Sequence, residues 1–283
     1  MFHAEAHSFQ QQARLAITLA SVAGFVNVVG VVVCGVAVSH VTGTVSALGR
    51  EVGQGEWHLL GIAGWLLAWF LLGATVSGLA IGAARARGWR SVYVVPMAIE
   101  AFALAAMGVL VAQRGVAAES SSPLATGAFA ATQWSLSAIA CLAMGLQNAT
   151  ITSISGGVVR TTHLTGVLTD LGIELSRLVA PRGDMPTPPS PATDATRDRT
   201  SVHRERLRRL ALLASILGSF LFGAGIAAIA MPRLAAWTML PPVALLLFVI
   251  GQDLVRPIVE IETRGGRDSQ GASRRDPDRS VDH

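Results

Sequence analysis

Two copies of one polar motif, H-x-T-G followed by L-G-x-E, carry the residues best suited to chemistry in this chain. The first copy runs from His40 to Glu51 and the second from His163 to Glu174. An imidazole can bind a ligand, relay a proton or respond to pH. Because a repeated motif in a very apolar chain is typical of duplicated membrane proteins, the pair predicts both a fold and a candidate site.

The threonine and glycine of each motif predict the start of a helix. The hydroxyls of Thr42 and Thr165 can cap a helix by accepting hydrogen bonds from free backbone N–H groups. Gly43 and Gly166 lack a Cβ, so a helix or a ligand can approach the backbone there. Such a helix N-terminus favours an anionic group. A purely structural helix start is the alternative, with the histidines bonded only to neighbouring carbonyls.

An asparagine lies upstream of each motif. Asn27 ends the run Gly24-Phe-Val-Asn27, and Asn148 ends Gly145-Leu-Gln-Asn148. A polar amide inside an apolar segment needs a hydrogen-bond partner, which a neighbouring helix can supply. Since the two residues occupy equivalent places in the repeat, they could also meet at a pseudo-two-fold axis and line a substrate site.

Two acidic residues have no counterpart in the other copy of the repeat. Glu100 lies within an apolar segment, and Asp170 lies inside the second motif. Ionisable groups inside a membrane are costly and tend to be functional, so both are candidates for proton coupling. A neutral carboxyl that bonds an adjacent helix is the structural alternative for Glu100.

The remaining sequence shows no enzyme or metal signature. Ser, His and Asp are present without a nucleophile elbow, a zinc spacing or a phosphate loop. Cys34 and Cys141 lie in apolar runs and are expected to be small packing residues. We therefore expect no catalytic residues, no bound metal and no cofactor.

Composition indicates an integral membrane protein. The 283 residues are 51% hydrophobic and 14% charged, with a mean hydropathy of +0.51, whereas soluble domains carry about 25% charged residues. Most of the long apolar runs approach or exceed the roughly 20 residues that cross a hydrocarbon core. They predict an all-α protein with six transmembrane helices, at residues 15–38, 59–84, 92–112, 134–151, 210–231 and 234–251.

The arginines predict the topology. All 22 basic residues are arginines, and with the N-terminus in the cytoplasm only Arg50, Arg114 and Arg233 fall outside. This bias predicts a bacterial inner-membrane protein with both termini cytoplasmic. The basic charge is then explained by topology and by contact with the lipid bilayer, and we expect no nucleic-acid partner.

The repeat predicts two inverted units of three helices, because an odd number of spans makes the second unit enter from the other side. Residues 14–180 contain the first repeat, at 14–112, and the start of the second repeat. A Pro-rich linker at 181–206 separates this start from the last two helices of the second repeat, at 207–255. The tail at 256–283 is expected to be disordered.

Glycines extend the repeat into the spans. Gly73 and Gly78 in the second span are matched by Gly218 and Gly223 in the fifth, and we expect them to pack helices. The G-x-x-x-G formed by Gly78 and Gly82 permits close helix approach, either within the chain or at a homodimer seam.

The run from Ala143 to Asn148, together with the segment from Val159 to Gly172, resembles the YoaK-like family of bacterial membrane proteins, a domain of unknown function. The segment from Ala23 to Gly43 is similar to the family's N-terminal motif, with Asn27 where the family commonly has Asp. The resemblance covers about residues 14–251 apart from the linker. It implies a membrane fold without naming a substrate.

These observations favour a transporter of an unknown small solute, with coupling to protons as one option. Inverted repeats recur among secondary transporters, whose sites lie near the membrane midplane on interrupted helices. A non-transporting scaffold or regulatory protein is the first alternative, and a membrane enzyme acting on lipid is the second. Fold-level analogy alone does not choose among them.

Overall fold

This computed structural model describes residues 2–114, 131–154, 164–179, 195–234 and 237–255. In these residues helices joined by turns are present, and there are no strands. The prediction of an all-α protein is confirmed for these residues. The eight helices are α1 (Phe2–Cys34), α2 (Val41–Gln54), α3 (Trp57–Ala86), α4 (Val94–Arg114), α5 (Ala131–Ile154), α6 (Leu164–Val179), α7 (Ala195–Leu234) and α8 (Leu240–Val255).

Five of these helices are long and apolar enough to cross a membrane, so the chain is a multi-pass membrane protein. The five candidate spans are Ala13–Cys34, Trp57–Ala86, Val94–Gln113, Ala131–Ile154 and Arg204–Leu234. Helix α8 is apolar but has only 16 residues. The short helices α2 and α6 are instead amphipathic, each with a buried glutamate on an otherwise partly exposed surface.

Helix α5 lies at the centre of the bundle, where it packs against α1, α3 and α4. In its most apolar stretch 67% of the residues are buried, compared with 22% in that of α3. This position explains why α5 tolerates polar residues such as Ser137 and Gln147, which are buried. Neighbouring helices can supply their hydrogen-bond partners.

Glycines set the crossing of α1 with α7. A Cβ added to Gly24 would overlap the backbone carbonyl of Phe220, and one added to Gly223 would overlap that of Ser21. Each glycine therefore lets one helix backbone touch the other. Such contacts between small residues provide the packing that holds helices together in a membrane.

The crossing of α3 with α5 is built in the same way. A Cβ on Gly73 would overlap the carbonyl of Leu142, and one on Gly145 would overlap that of Phe70. Each crossing thus pairs a glycine from the helix that precedes one motif, α1 or α5, with a glycine from the helix that follows the other motif, α7 or α3.

The prediction that Gly218 matches Gly73 in packing is wrong. No described atom lies within 4 Å of a Cβ built on Gly218, and the glycine that makes the interhelical contact is Gly223. The five-residue spacing from Gly73 to Gly78 recurs in α7 as Gly218 and Gly223. Of the two glycines in α7, only Gly223 lies at the crossing with α1. Gly78 and Gly82 also have no described neighbour within 4 Å, so these glycines do not pack against the described helices.

Helix α7 begins earlier than the sequence indicates. Residues 195–206, assigned above to a linker, are the first turns of a 40-residue helix. The run from 195 to 206 is charged but contains neither glycine nor proline, so nothing in it breaks a helix. The rest of the predicted linker and the predicted tail lie outside the described residues.

Candidate functional site

The chain folds back on itself after α1. Gly35, with φ 72°, follows the last residue of the helix. Ser39 then donates two hydrogen bonds to the Asn27 side-chain oxygen, at 3.3 Å from its backbone N–H and 3.0 Å from its hydroxyl. A Cβ on Gly30 would meet the Val38 side chain. The segment from 35 to 40 therefore lies alongside α1 rather than beyond its end.

Because of this return, α2 begins beside the interior of α1. Asn27 lies seven residues before Cys34, which corresponds to about 10 Å along a helix. The carbonyl of Val38 accepts a hydrogen bond from the Cys141 thiol of α5 at 3.5 Å, so the same segment also contacts the central helix. From this point the 14 residues of α2 pack along α3.

His40 and Gly43 contact each other at the start of α2. His40 is the residue that precedes the helix, with φ −92° and ψ 62°, and its side chain makes no cap hydrogen bond. A Cβ added to Gly43 would overlap the Cδ2 and Nε2 atoms of the His40 ring. The space that the missing Cβ leaves at Gly43 is therefore filled by the imidazole of its own motif and not by another described helix. The imidazole itself is exposed.

The prediction that Thr42 caps the helix is wrong. The carbonyl of His40 already accepts a hydrogen bond from the Thr44 N–H at 3.0 Å, so the helix starts at Val41 and Thr42 lies in its first turn. The Thr42 side chain is exposed, and its carbonyl accepts a bond from the Ser46 hydroxyl at 2.9 Å.

The second motif is described only from Leu164 onward, and His163 lies outside the described residues. Thr165 is the second residue of α6, and its carbonyl accepts a hydrogen bond from the Thr169 hydroxyl at 2.8 Å. Thr165 and Gly166 are exposed, and no described atom lies within 4 Å of a Cβ built on Gly166. Thr165 therefore also lies inside a helix rather than at its cap.

On α5, the amide of Gln147 joins two helices. The fully buried Gln147 donates a hydrogen bond from Nε2 to the Leu19 carbonyl of α1. Asn148 is half-buried, and its carbonyl accepts a bond from the Thr152 hydroxyl at 2.7 Å. Sequence reasoning singled out Asn148 because it is repeated, whereas the position of Gln147 within the central helix gives it the interhelical contact.

The two single-copy carboxylates have different surroundings. Glu100 is fully buried in α4, and neither of its oxygens has a hydrogen-bond partner among the described residues. Asp170 is half-buried, with its Oδ2 atom 3.8 Å from Nη2 of Arg209 in α7. Another buried acidic residue, Asp253, lies near the end of α8, where its backbone carbonyl accepts a bond from the Ser91 hydroxyl at 3.1 Å.

Each motif ends on a buried glutamate that is paired with arginine. Glu51 is 2% exposed and pairs with Arg50, while Glu174 is 3% exposed and pairs with Arg177 and Arg209. The pairing of Arg50 accounts for one of the three arginines on the predicted outer side. Sequence reasoning gave these glutamates no pairing role, although Arg50 is adjacent to Glu51 and Arg177 lies three residues after Glu174; only Arg209 lies on another helix.

The cysteines are free and buried, as the sequence predicts. Within the described ranges, no group of three or more His, Cys, Asp or Glu residues is placed to hold a metal ion. The described part of the site therefore consists of hydrogen-bond donors and acceptors at the start of α2, together with buried carboxylates elsewhere in the bundle.

Comparison with known proteins identifies the family to which this chain belongs. No curated protein and no solved structure matches this chain. A family model described as a protein of unknown function, DUF1275, matches residues 15–251. The match includes both motifs and the helices that position them, in agreement with the YoaK-like resemblance. The chain therefore belongs to the DUF1275 family of proteins of unknown function.

Proposed function

We propose that this protein moves a small solute across the bacterial inner membrane. The observation that carries the proposal is the hydrogen bonding of Ser39 to Asn27, which brings the start of α2 back beside the interior of α1. Interrupted helices of this kind form the substrate sites of many secondary transporters. The N-terminus of α2 offers free backbone donors beside the exposed His40.

An inverted repeat of six spans is the architecture we propose for this activity. Two glycine crossings support it, since α1 contacts α7 in the way that α5 contacts α3. The motif helices α2 and α6 likewise pack on α3 and α7. Helix α8 is the sixth span, because 16 residues extend about 24 Å and local thinning of the bilayer can accommodate a short helix.

The two motifs then contribute equivalent groups from opposite sides of the membrane, with both termini in the cytoplasm. Asn27 fixes the first chain break, and His40, Thr42 and Gly43 form the first half of the site. The second half is formed by Asn148, His163, Thr165 and Gly166. Helix N-termini at both breaks favour an anionic or strongly polar solute.

Glu100 is the better of the two candidates for proton coupling. A buried carboxyl with no described hydrogen-bond partner gains most from exchanging a proton with water or solute. Asp170 already has a charged partner, since its Oδ2 atom lies 3.8 Å from Nη2 of Arg209. We therefore assign coupling to Glu100 and keep Asp170 as the second candidate.

A non-transporting scaffold is the alternative that specific contacts favour. The His40 ring packs on Gly43 of its own motif, as a purely structural device would. The face of α3 that carries Gly78 and Gly82 has no described neighbour and could form a homodimer seam. In that case the motifs stabilise the bundle and no solute is moved.

Uptake by reconstituted vesicles distinguishes the two functions. Purified protein in liposomes is offered a panel of small radiolabelled carboxylates, phosphate and amino acids, with and without an inward proton gradient. A transporter gives uptake that His40→Ala abolishes and that His58→Ala, at an exposed histidine on α3 outside the motif, leaves intact. Uptake of no solute above empty liposomes, or equal uptake by both variants, contradicts the proposed site.

A further inference from the structure

We propose that Arg209 is a positioning residue that holds α6, the helix of the second motif, against α7 through its charge. As a result α6 can separate from its neighbour when that charge is screened, whereas α2 remains fixed to α3. This difference in attachment exists whether or not a solute is moved, because it depends only on how the two motif helices are held.

The ion pairs of α6 converge on Glu174. Its Oε1 atom lies 3.0 Å from Nη1 of Arg177 and 3.5 Å from Nη1 of Arg209. The other guanidinium nitrogen of Arg209, Nη2, lies 3.8 Å from Oδ2 of Asp170. Arg177 belongs to α6 itself, so Arg209 is the arginine of these contacts that joins the two helices.

Burial makes this contact important for α6. Glu174 is 3% exposed, and its Oε2 atom has no hydrogen-bond partner within the described ranges. Without Arg209, Glu174 would keep only Arg177 of its own helix as a charged partner, and the charged contact with α7 would be lost. Arg209 is 54% exposed, so dissolved salt reaches it and weakens the pair.

The first motif helix is held in a different way. The Glu56 N–H donates to the Glu51 carbonyl at 3.0 Å, and Gly55 adopts φ 70°. This turn leaves only two residues between α2 and α3. Glu51 is paired with Arg50 of its own helix, and α3 contains no arginine before its last turn.

The connection from α6 to α7 is much longer. Helix α6 ends at Val179 and α7 begins at Ala195, so no short turn of the α2–α3 kind joins them. Among the described residues, α6 is attached to α7 through side-chain contacts, and the charges of Asp170 and Glu174 supply the polar part of that contact.

Hydrogen exchange of the full-length protein in lipid nanodiscs tests this inference without any solute. Raising the salt from about 0.1 M to about 1 M shortens the Debye length from roughly 10 Å to roughly 3 Å. We expect backbone amides of α6 to exchange severalfold faster at high salt, while those of α2 keep their rate. Equal salt dependence in α2 and α6, or none in α6, would overturn the assignment.

Substitution of the arginine gives the second arm of the test. Arg209→Gln should speed exchange in α6 about tenfold and remove most of its salt dependence. Arg208→Gln is the matched control, since this neighbouring exposed arginine forms no ion pair with a described residue. The same acceleration in both variants contradicts a specific role for Arg209. If Arg209→Gln does not fold, the salt series on the unmodified protein decides.

Discussion

Ser39 donates two hydrogen bonds to the side-chain oxygen of Asn27, and this pair fixes where the first motif begins. The two residues are separated by the end of α1 and by a turn at Gly35. Their contact, together with the packing of Val38 on Gly30, holds the returning chain along α1. The pair therefore links a repeated polar residue to the position of His40, the next residue in the chain.

Asn27→Ala should destabilise the fold by about 1 kcal/mol, since both bonds from Ser39 lose their acceptor. Asn27→Asp should be much less harmful, because a carboxylate oxygen can accept the same bonds. Thermal unfolding in detergent measures both variants. Combining Asn27→Ala with Ser39→Ala should cost less than the sum of the single changes, and strict additivity would show that the pair is not coupled.

Gly43→Ala should displace the His40 ring, because the new Cβ would occupy the space of Cδ2 and Nε2. We expect a loss of about 1 kcal/mol or more in unfolding free energy. Gly49→Ala is the matched control in the same helix, where no described atom lies within 4 Å. It should stabilise α2 by roughly 0.5–1 kcal/mol. A stabilising Gly43→Ala would contradict the packing of the ring.

Gly145→Ala should disrupt the crossing of α3 and α5, since its Cβ would overlap the Phe70 carbonyl. Overpacking of this kind costs about 1–3 kcal/mol, and backbone has little freedom to yield. Gly218→Ala, where no described neighbour is near, should be tolerated. Detergent melting curves of the two variants compare them directly, and an equal effect would argue against the observed register.

Glu100→Gln should leave the fold intact, because the amide has nearly the same shape as the carboxyl it replaces. If Glu100 carries the coupled proton, uptake driven by a proton gradient is lost while exchange of solute between the two sides continues. Asp170→Asn is the comparison, and we expect it to retain coupling. Gradient-driven uptake that survives Glu100→Gln removes this residue from the coupling step.

Much of the fold follows from the sequence because long apolar runs leave few alternatives. Five long helices cover five of the six predicted spans, and the predicted sixth span corresponds to the 16-residue α8. The helix start was harder to predict, since Thr42 has a good capping side chain but the bond from Thr44 to His40 begins the helix earlier. Local preference was overridden there by the path that the chain takes after Asn27.

Contacts between distant segments were the least predictable part. Gly223 rather than Gly218 contacts α1. The sequence pattern alone does not distinguish the two glycines, because the choice depends on where the two helices cross in three dimensions. Arg209 could not be identified as a partner of Glu174 for the same reason. Gln147 was passed over because it is not repeated, although it joins α5 to α1.

The depth of Thr42 in the bilayer tests the central claim most directly. In a background with Cys34→Ala and Cys141→Ala, a spin label is attached at Thr42→Cys or at Gln54→Cys, the last residue of α2. Relaxation by oxygen and by a water-soluble nickel complex then gives the depth of each label. We predict that the label at 42 lies deeper than the label at 54 by up to about 18 Å, the length of the intervening helix. Equal depths for the two labels, both at the membrane surface, would contradict a motif that begins inside the membrane.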